Sequence, residues 1–197
     1  MSTPLPLTVA EWRDFLARYS PAFLNSPYLR RLEADPHIDV SAFVSQAQRE
    51  AEWLGSAPAD EQAVAAAEER LGVRLPPTYR NFLLTSNGGE CIGSLTLLPA
   101  DEIGWFAEIE AWLIEAWSDP SLDFFADNLE MLKRCLLISS DEGGAGGNWL
   151  LHVDSADENG ELTAYEWWPG DGADPVEFEN FAALLTDSTE KQLGWTP

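Results

Sequence analysis

The stretch from Ala59 to Gly89, ADEQAVAAAEERLGVRLPPTYRNFLLTSNGG, leaves few options for how this chain can fold. Val64, Ala67 and Leu71 recur three and four residues apart, which puts them on one helix face with Glu68, Glu69 and Arg70 turned to water. Asp60 is a capping residue at the start, and Gly72 supplies the left-handed conformation that ends such a helix. Val73 to Leu75 must then run extended, because a residue before proline is pushed out of the helical region, and Pro76-Pro77 opens a second helix. Tyr79, Phe82 and Leu83 form the buried stripe of that helix, and Asn87-Gly88-Gly89 stops it.

The order E-x-x-L-G-x-x-L-P-x-x-Y-R-x-F-L-x-x-S-N-G-G, spanning Glu68, Leu71, Gly72, Leu75, Pro76, Tyr79, Phe82, Asn87, Gly88 and Gly89, resembles the signature of the SUKH superfamily (Smi/Knr-like domains). That superfamily includes a fungal regulator of cell-wall synthesis and many bacterial immunity proteins that neutralise toxins. The resemblance implies an α+β fold with helices packed on a predominantly antiparallel sheet, and a protein-binding role. The matching residues read as turn and core positions, so they identify a fold and supply no mechanism.

Charge is the informative part of the composition. The 197 residues carry a formal net charge of −23. Residues 1–80 hold eight basic against eleven acidic side chains, whereas residues 81–197 hold only Lys133, Arg134 and Lys191 against twenty-three acids. Such a surface repels nucleic acid and anionic membrane and draws in cationic proteins. A charge that only keeps the protein soluble is the other reading, and both stay open. No apolar run approaches the roughly 20 residues of a membrane span, and the start lacks the pattern of a signal peptide, so the expected compartment is the cytoplasm. Cys91 and Cys135 have no C-x-x-C partner and read as buried free thiols.

Three regions surround the signature. A helical N-terminal extension is expected over 1–57, with Thr8 capping a helix over 8–20 whose apolar face carries Trp12, Phe15, Leu16 and Tyr19, Pro21 just past its end, and a further helix over 40–54. The SUKH-like domain is expected over 58–186, and a loose tail over 187–197 that Trp195 could tie down. Within the domain, 92–98 reads as a strand, and 135–138, 149–154 and 162–168 as an antiparallel meander. The stretch 178–185 reads as a closing helix, with Phe178 and Phe181 inward.

The partner-binding candidates come from the stretch after Pro99. Asp101 reads as the cap of a long helix with Ile103, Phe106, Ile109 or Glu110, Leu113 and Trp117 inward. Trp105 and Trp112 then lie seven residues apart on a neighbouring face, together with Glu108 and Glu115. Indole rings among carboxylates suit an arginine-rich partner, because the rings take cation-π contacts while the carboxylates pair the guanidinium. Core packing against an uneven sheet is the plainer reading of the same tryptophans. Asp141 and Glu142 flank the glycine-rich DEGGAGGN loop and complete the candidate set.

That loop lacks the lysine and hydroxyl of a phosphate-binding loop and is followed by a strand. Asp141, Glu142, Asp154, Asp157 and Asp171 miss the spacing of an EF-hand. His37 and His152 have no nucleophile motif beside them. The sequence therefore predicts no catalysis, cofactor or metal. It predicts a non-catalytic module that binds a basic protein, resembling immunity proteins; a regulatory or scaffold protein like the fungal relative, and an enzyme of unnamed class, are the rivals.

Overall fold

Thr8 starts the first helix by a capping box: its hydroxyl accepts from the Glu11 amide, and the Glu11 carboxylate accepts from the Thr8 amide in return. The computed structural model describes residues 5–118, 126–141, 146–171 and 174–194. Its helices are α1 (Val9–Leu24), α2 (Pro27–Ala34), α3 (Gln46–Ala51), α4 (Glu61–Leu71), α5 (Pro77–Leu83), α6 (Phe106–Ile109), α7 (Ala111–Trp117), α8 (Ala126–Leu132) and α9 (Phe181–Gly194). The strands are β1 (Thr96–Leu97), β2 (Gly104–Trp105), β3 (Cys135–Leu137), β4 (Ser139–Ser140), β5 (Asn148–His152), β6 (Ala164–Trp167) and β7 (Val176–Phe178). The expected α+β architecture is present: N-terminal helices precede antiparallel strands paired in the order β2-β3-β5-β6-β7, beside a ribbon of β1 and β4.

The signature folds as its residue types require. Asp60 accepts from the Ala63 amide at 2.7 Å, and Gly72 ends α4 at φ 71°. Glu68 bridges the hinge, accepting from the Leu75 amide at 3.0 Å with the Arg80 guanidinium 3.8 Å away. Leu71, Leu75, Tyr79 and Phe82 are buried. The expected stop at Asn87-Gly88-Gly89 is corrected: α5 already ends at Leu83 with Leu84 as its C-cap, and the three residues instead seat the β1–β4 ribbon, Asn87 accepting from the Ala100 amide at 2.8 Å and Gly89 exchanging two backbone hydrogen bonds with Leu97. Gly88 is required there, because a Cβ would fall 2.6 Å from the Leu97 carbonyl oxygen at a φ of 76°.

Pro76 has no side chain with which to cap α5, and the acceptor comes from elsewhere. Glu161, in the connection between β5 and β6, accepts from the Thr78 amide at 2.9 Å and from its hydroxyl at 2.6 Å. A carboxylate at a helix N-terminus satisfies an orphan amide and meets the positive end of the dipole. Burial pushes the Glu161 carboxyl above its ordinary pKa, against the lowering effect of both Thr78 hydrogen bonds.

Several local expectations are corrected by tertiary structure. Pro21 lies inside α1, which continues to bury Phe23 and ends where the Asn25 amide and side chain both donate to the Pro21 carbonyl. The single helix expected over 40–54 is a short 3-10 turn at Val40–Ala42 followed by α3. Of 92–98, only Thr96 and Leu97 are strand. Phe178 ends strand β7 instead of opening the last helix. The expected tail from 187 is helical through Gly194, with Ser188 and Thr189 buried, while Trp195 lies outside the described residues, as do Phe124 and Phe125.

The N-terminal helices share one core with the signature. Trp12 is fully buried, its indole nitrogen donating to the Thr78 carbonyl at 2.9 Å and its ring packed on Phe82 and Phe181. Replacing Glu161 by alanine is expected to lower the unfolding free energy by about 1–2 kcal/mol, the cost of losing a cap and leaving a buried amide unpaired. Glu161→Gln, which keeps one acceptor, should lose less. Urea unfolding of the two variants checks both values, and equal stability of Glu161→Ala and the parent would show that the cap is not formed.

Candidate functional site

The single helix expected after Pro99 is broken before Phe106, and that break builds the candidate site. Residues 99–103 form a turn, in which the Glu102 amide donates to the Pro99 carbonyl at 2.9 Å, and Gly104–Trp105 then pairs as β2 with Leu137 and Leu136 of β3. Pairing to a fully buried strand outweighs the helical spacing of Ile103 and Phe106. Gly104 matters because a Cβ there would fall 2.7 Å from the Ile109 Cδ1 that folds back over it.

Two short helices follow, joined at Glu110 (φ −103°, ψ 39°). Phe106 from α6 and Trp117 from α7 both meet the buried Trp167 ring edge-on, with ring centroids 5.9 and 4.8 Å apart. Leu113, one turn before Trp117, is buried too. With 113 and 117 turned inward, residue 112 must turn outward, and Trp112 is 67% exposed. Its indole nitrogen donates to the Glu110 carboxylate at 2.6 Å, which fixes the ring at the surface. Ile109, expected on the inward stripe, is 45% exposed beside it.

Trp112 and Ile109 form one wall of an open cleft of about 930 Å³. Leu98, Leu137, Ser139, Ser140, Asp141 and the Gly146–Gly147 backbone also line it. The Asp141 carboxylate accepts hydrogen bonds from the Gly146 and Gly147 amides, so it holds the loop ends together as well as facing the cleft. Glu102 and Glu110 complete a carboxylate rim around the apolar wall. Ser139 holds the cleft base by accepting from the Trp149 amide at 2.8 Å.

The sequence candidates thus divide. Trp112 and Asp141 share the cleft; Glu108 and Glu115 are exposed on α6 and α7 but do not line it. Trp105 is not on their helix. Its indole nitrogen donates to the Leu71 carbonyl at 3.2 Å, and the Arg134 guanidinium lies 5.4 Å from its ring centroid. The cation-π contact expected from a partner's arginine is taken by this chain's own. Arg134 is held in turn by Asp154 through two hydrogen bonds of 2.7 and 2.8 Å, which lower the Asp154 carboxyl pKa and raise that of the guanidinium. Glu142 lies outside the described residues. Glu102 carries no signal in the sequence, and Ile109 or Glu110 was expected on the buried stripe; the one available signal for the break was Gly104, a poor residue for a helix interior.

Among the described residues, no group of three or more histidine, cysteine or carboxylate side chains is placed to hold a metal ion. Burial pushes both thiols up to about 12, so neither Cys91 nor Cys135 is a ready nucleophile. No helix among those residues is long and apolar enough to cross a membrane. What the cleft offers chemically is an exposed indole and an isoleucine inside a ring of negative charge, which suits binding.

If Trp112 is free of the core, Trp112→Ala should change the unfolding free energy by less than about 0.5 kcal/mol. Trp12→Ala, in contrast, should cost about 3–5 kcal/mol. Chemical denaturation of both variants checks the contrast, and a comparable loss in the two would return Trp112 to the core.

The SMI1 / KNR4 family (SUKH-1) model matches residues 58–187, from the segment before α4 into the middle of α9. No curated protein matches the chain. The SUKH family is associated with immunity-protein and Knr4-like regulatory roles, and its members typically bind protein partners. With the match covering most of the chain and the signature folded as its hinge and ribbon seat, this protein belongs to the SMI1/KNR4 (SUKH-1) family.

Proposed function

We propose that this protein works in the cytoplasm by stoichiometric, non-catalytic binding of a basic protein, as an immunity protein that covers the cationic substrate groove of a cognate toxin. A nuclease fits that description best, because its lysines and arginines must already be arranged to hold phosphates. The observation that carries the reading is Trp112, a tryptophan 67% exposed in a cleft that Glu102, Glu110 and Asp141 also line. Exposing an indole costs solvation without benefit to this fold, and such rings, once desolvated by a partner, dominate interface energies. The net charge of −23 would act earlier, drawing a cationic partner in and speeding association by about 10- to 1,000-fold at low salt.

Capture from the native host's lysate at low salt, followed by stepwise salt elution, tests this reading. The expected result is one basic protein, released at high salt, toxic when expressed alone and harmless when expressed with this chain. With that partner, Trp112→Ala should raise the dissociation rate about tenfold or more, as loss of a central aromatic anchor does. Neutralising Glu102, Glu108 and Glu115 together should mainly slow association and flatten its salt dependence. A captured partner that is harmless when freed would favour the regulatory role known for the fungal relative, and turnover by the pure protein would overturn non-catalytic binding.

A further inference from the structure

The cleft beside Trp112 does not stop at β4. Ser140 lines three adjoining clefts. The second, about 510 Å³, crosses the β1–β4 ribbon over Thr96 and the signature residues Asn87 and Gly89. It shares Leu98 and Glu102 with the first. The third, about 330 Å³, opens beneath the N-terminal helices against Phe23, Tyr28, Leu32, Ile38 and Phe43, and shares Thr96 and Glu90 with the second. Through these shared lining residues the three clefts run into one another.

The charge of the joined groove is one-sided. Glu90, Glu102, Glu110 and Asp141 line it, and among the described lining residues there is no lysine or arginine. Its two ends are apolar and partly open: Ile109 and Trp112 at one, Ile38, 37% exposed, at the other. The floor between them is polar, with the Thr96 and Ser140 side chains beside the Gly89 backbone. An extended chain has backbone amides and carbonyls to offer such a floor, whereas a helix has already paired its own.

We propose that this groove holds a single extended, lysine- and arginine-rich segment of the partner, with one apolar side chain seated at each end, and that the end built by residues 23–43 determines which partner is accepted. The inference rests on reading the chain as a binder of basic proteins. The apolar side chains of the selecting end, Phe23, Tyr28, Leu32, Ile38 and Phe43, come from the N-terminal extension, outside residues 58–187, and face Cys91, Gly93 and Leu95 from the part that carries the family match. Charge complementarity favours the basic middle of the segment, and burial of the two apolar ends fixes its register.

Panning a displayed library of random peptides on the full chain at low salt tests the groove without knowledge of the natural partner. The peptides expected to be enriched carry lysines and arginines between two apolar residues. In NMR titrations each should perturb both the Trp112 indole N–H and the Ile38 methyl groups. Changing either apolar peptide residue to serine should weaken binding by about tenfold, the scale of one buried aliphatic side chain. Ile38→Ser in the protein should abolish the effect of one peptide end, and Trp112→Ala that of the other. No enrichment of basic peptides, or basic peptides that perturb Trp112 and leave Ile38 unchanged, would overturn the proposal. The second of those results would leave the binding function standing on the first cleft alone, just as a harmless captured partner would end the immunity reading and leave the groove intact.

Discussion

The indole of Trp12 closes the structure. Its ring meets Phe82 of α5 and Phe181 of α9, and its nitrogen donates to the carbonyl of Thr78, so one side chain from the N-terminal helix joins the signature helix to the last helix. Thr78 is also where Glu161 caps α5 from the sheet side. The first turn of α5 therefore receives α1, α9 and the β5–β6 connection at once. A proline start, which fixes the backbone but has no capping group, makes that turn dependent on partners distant in sequence. Tyr79 and Phe82 then project from a helix whose position is set on three sides.

Fixing α5 fixes the surface that follows it. The Asn87-Gly88-Gly89 turn after α5 binds β1 and the Ala100 amide, and β1 pairs with β4, so the β1–β4 ribbon is tied directly to the signature. On the far side, Trp167 receives Phe106 and Trp117 and thereby determines how α6 and α7 are rotated. Trp112 is exposed because its neighbours on α7 are engaged. The exposure of Trp112 and the packing of the core are thus two outcomes of one helix orientation. The N-terminal helices, seated by Trp12 and by the Tyr19 hydroxyl donating to the Cys91 carbonyl, bring their own apolar residues to the cleft that adjoins the Trp112 cleft at Ser140 and Asp141.

The parts of the fold that were legible in sequence are those where local chemistry leaves one solution. Asp60, Gly72 and Pro76-Pro77 each dictate a backbone conformation, and the α4–α5 hinge matches what they predict. Thr8 and Glu11 announce the start of α1 in the same way. The stretch after Pro99 was not legible because its apolar residues satisfy a helical period while β3 offers a competing strand edge. Tertiary pairing decided, and Trp105 went to the sheet, where Arg134 covers its ring. Trp112 is singled out by residue type, and its exposure depends on Leu113 being buried and Trp117 facing Trp167, a contact fifty residues away in sequence. The acidic rim was hidden by abundance: in a chain with thirty-four acids, nothing in the spacing singles out Glu102. The reach of the last helix to Gly194 is set by its packing on the sheet and α1, which its own weakly patterned sequence does not announce.

The central claim is that a partner covers the wall carrying Trp112. Side-chain oxidation footprinting of this chain, alone and in complex with its captured partner, addresses it directly. An exposed indole reacts readily when free and is shielded only by something placed over it, while the fully buried Trp12, Trp149 and Trp167 serve as internal controls that should change little. The account predicts that partner binding strongly protects Trp112, with Ile109 protected beside it. Equal oxidation of Trp112 in the free chain and in a saturated complex would contradict it.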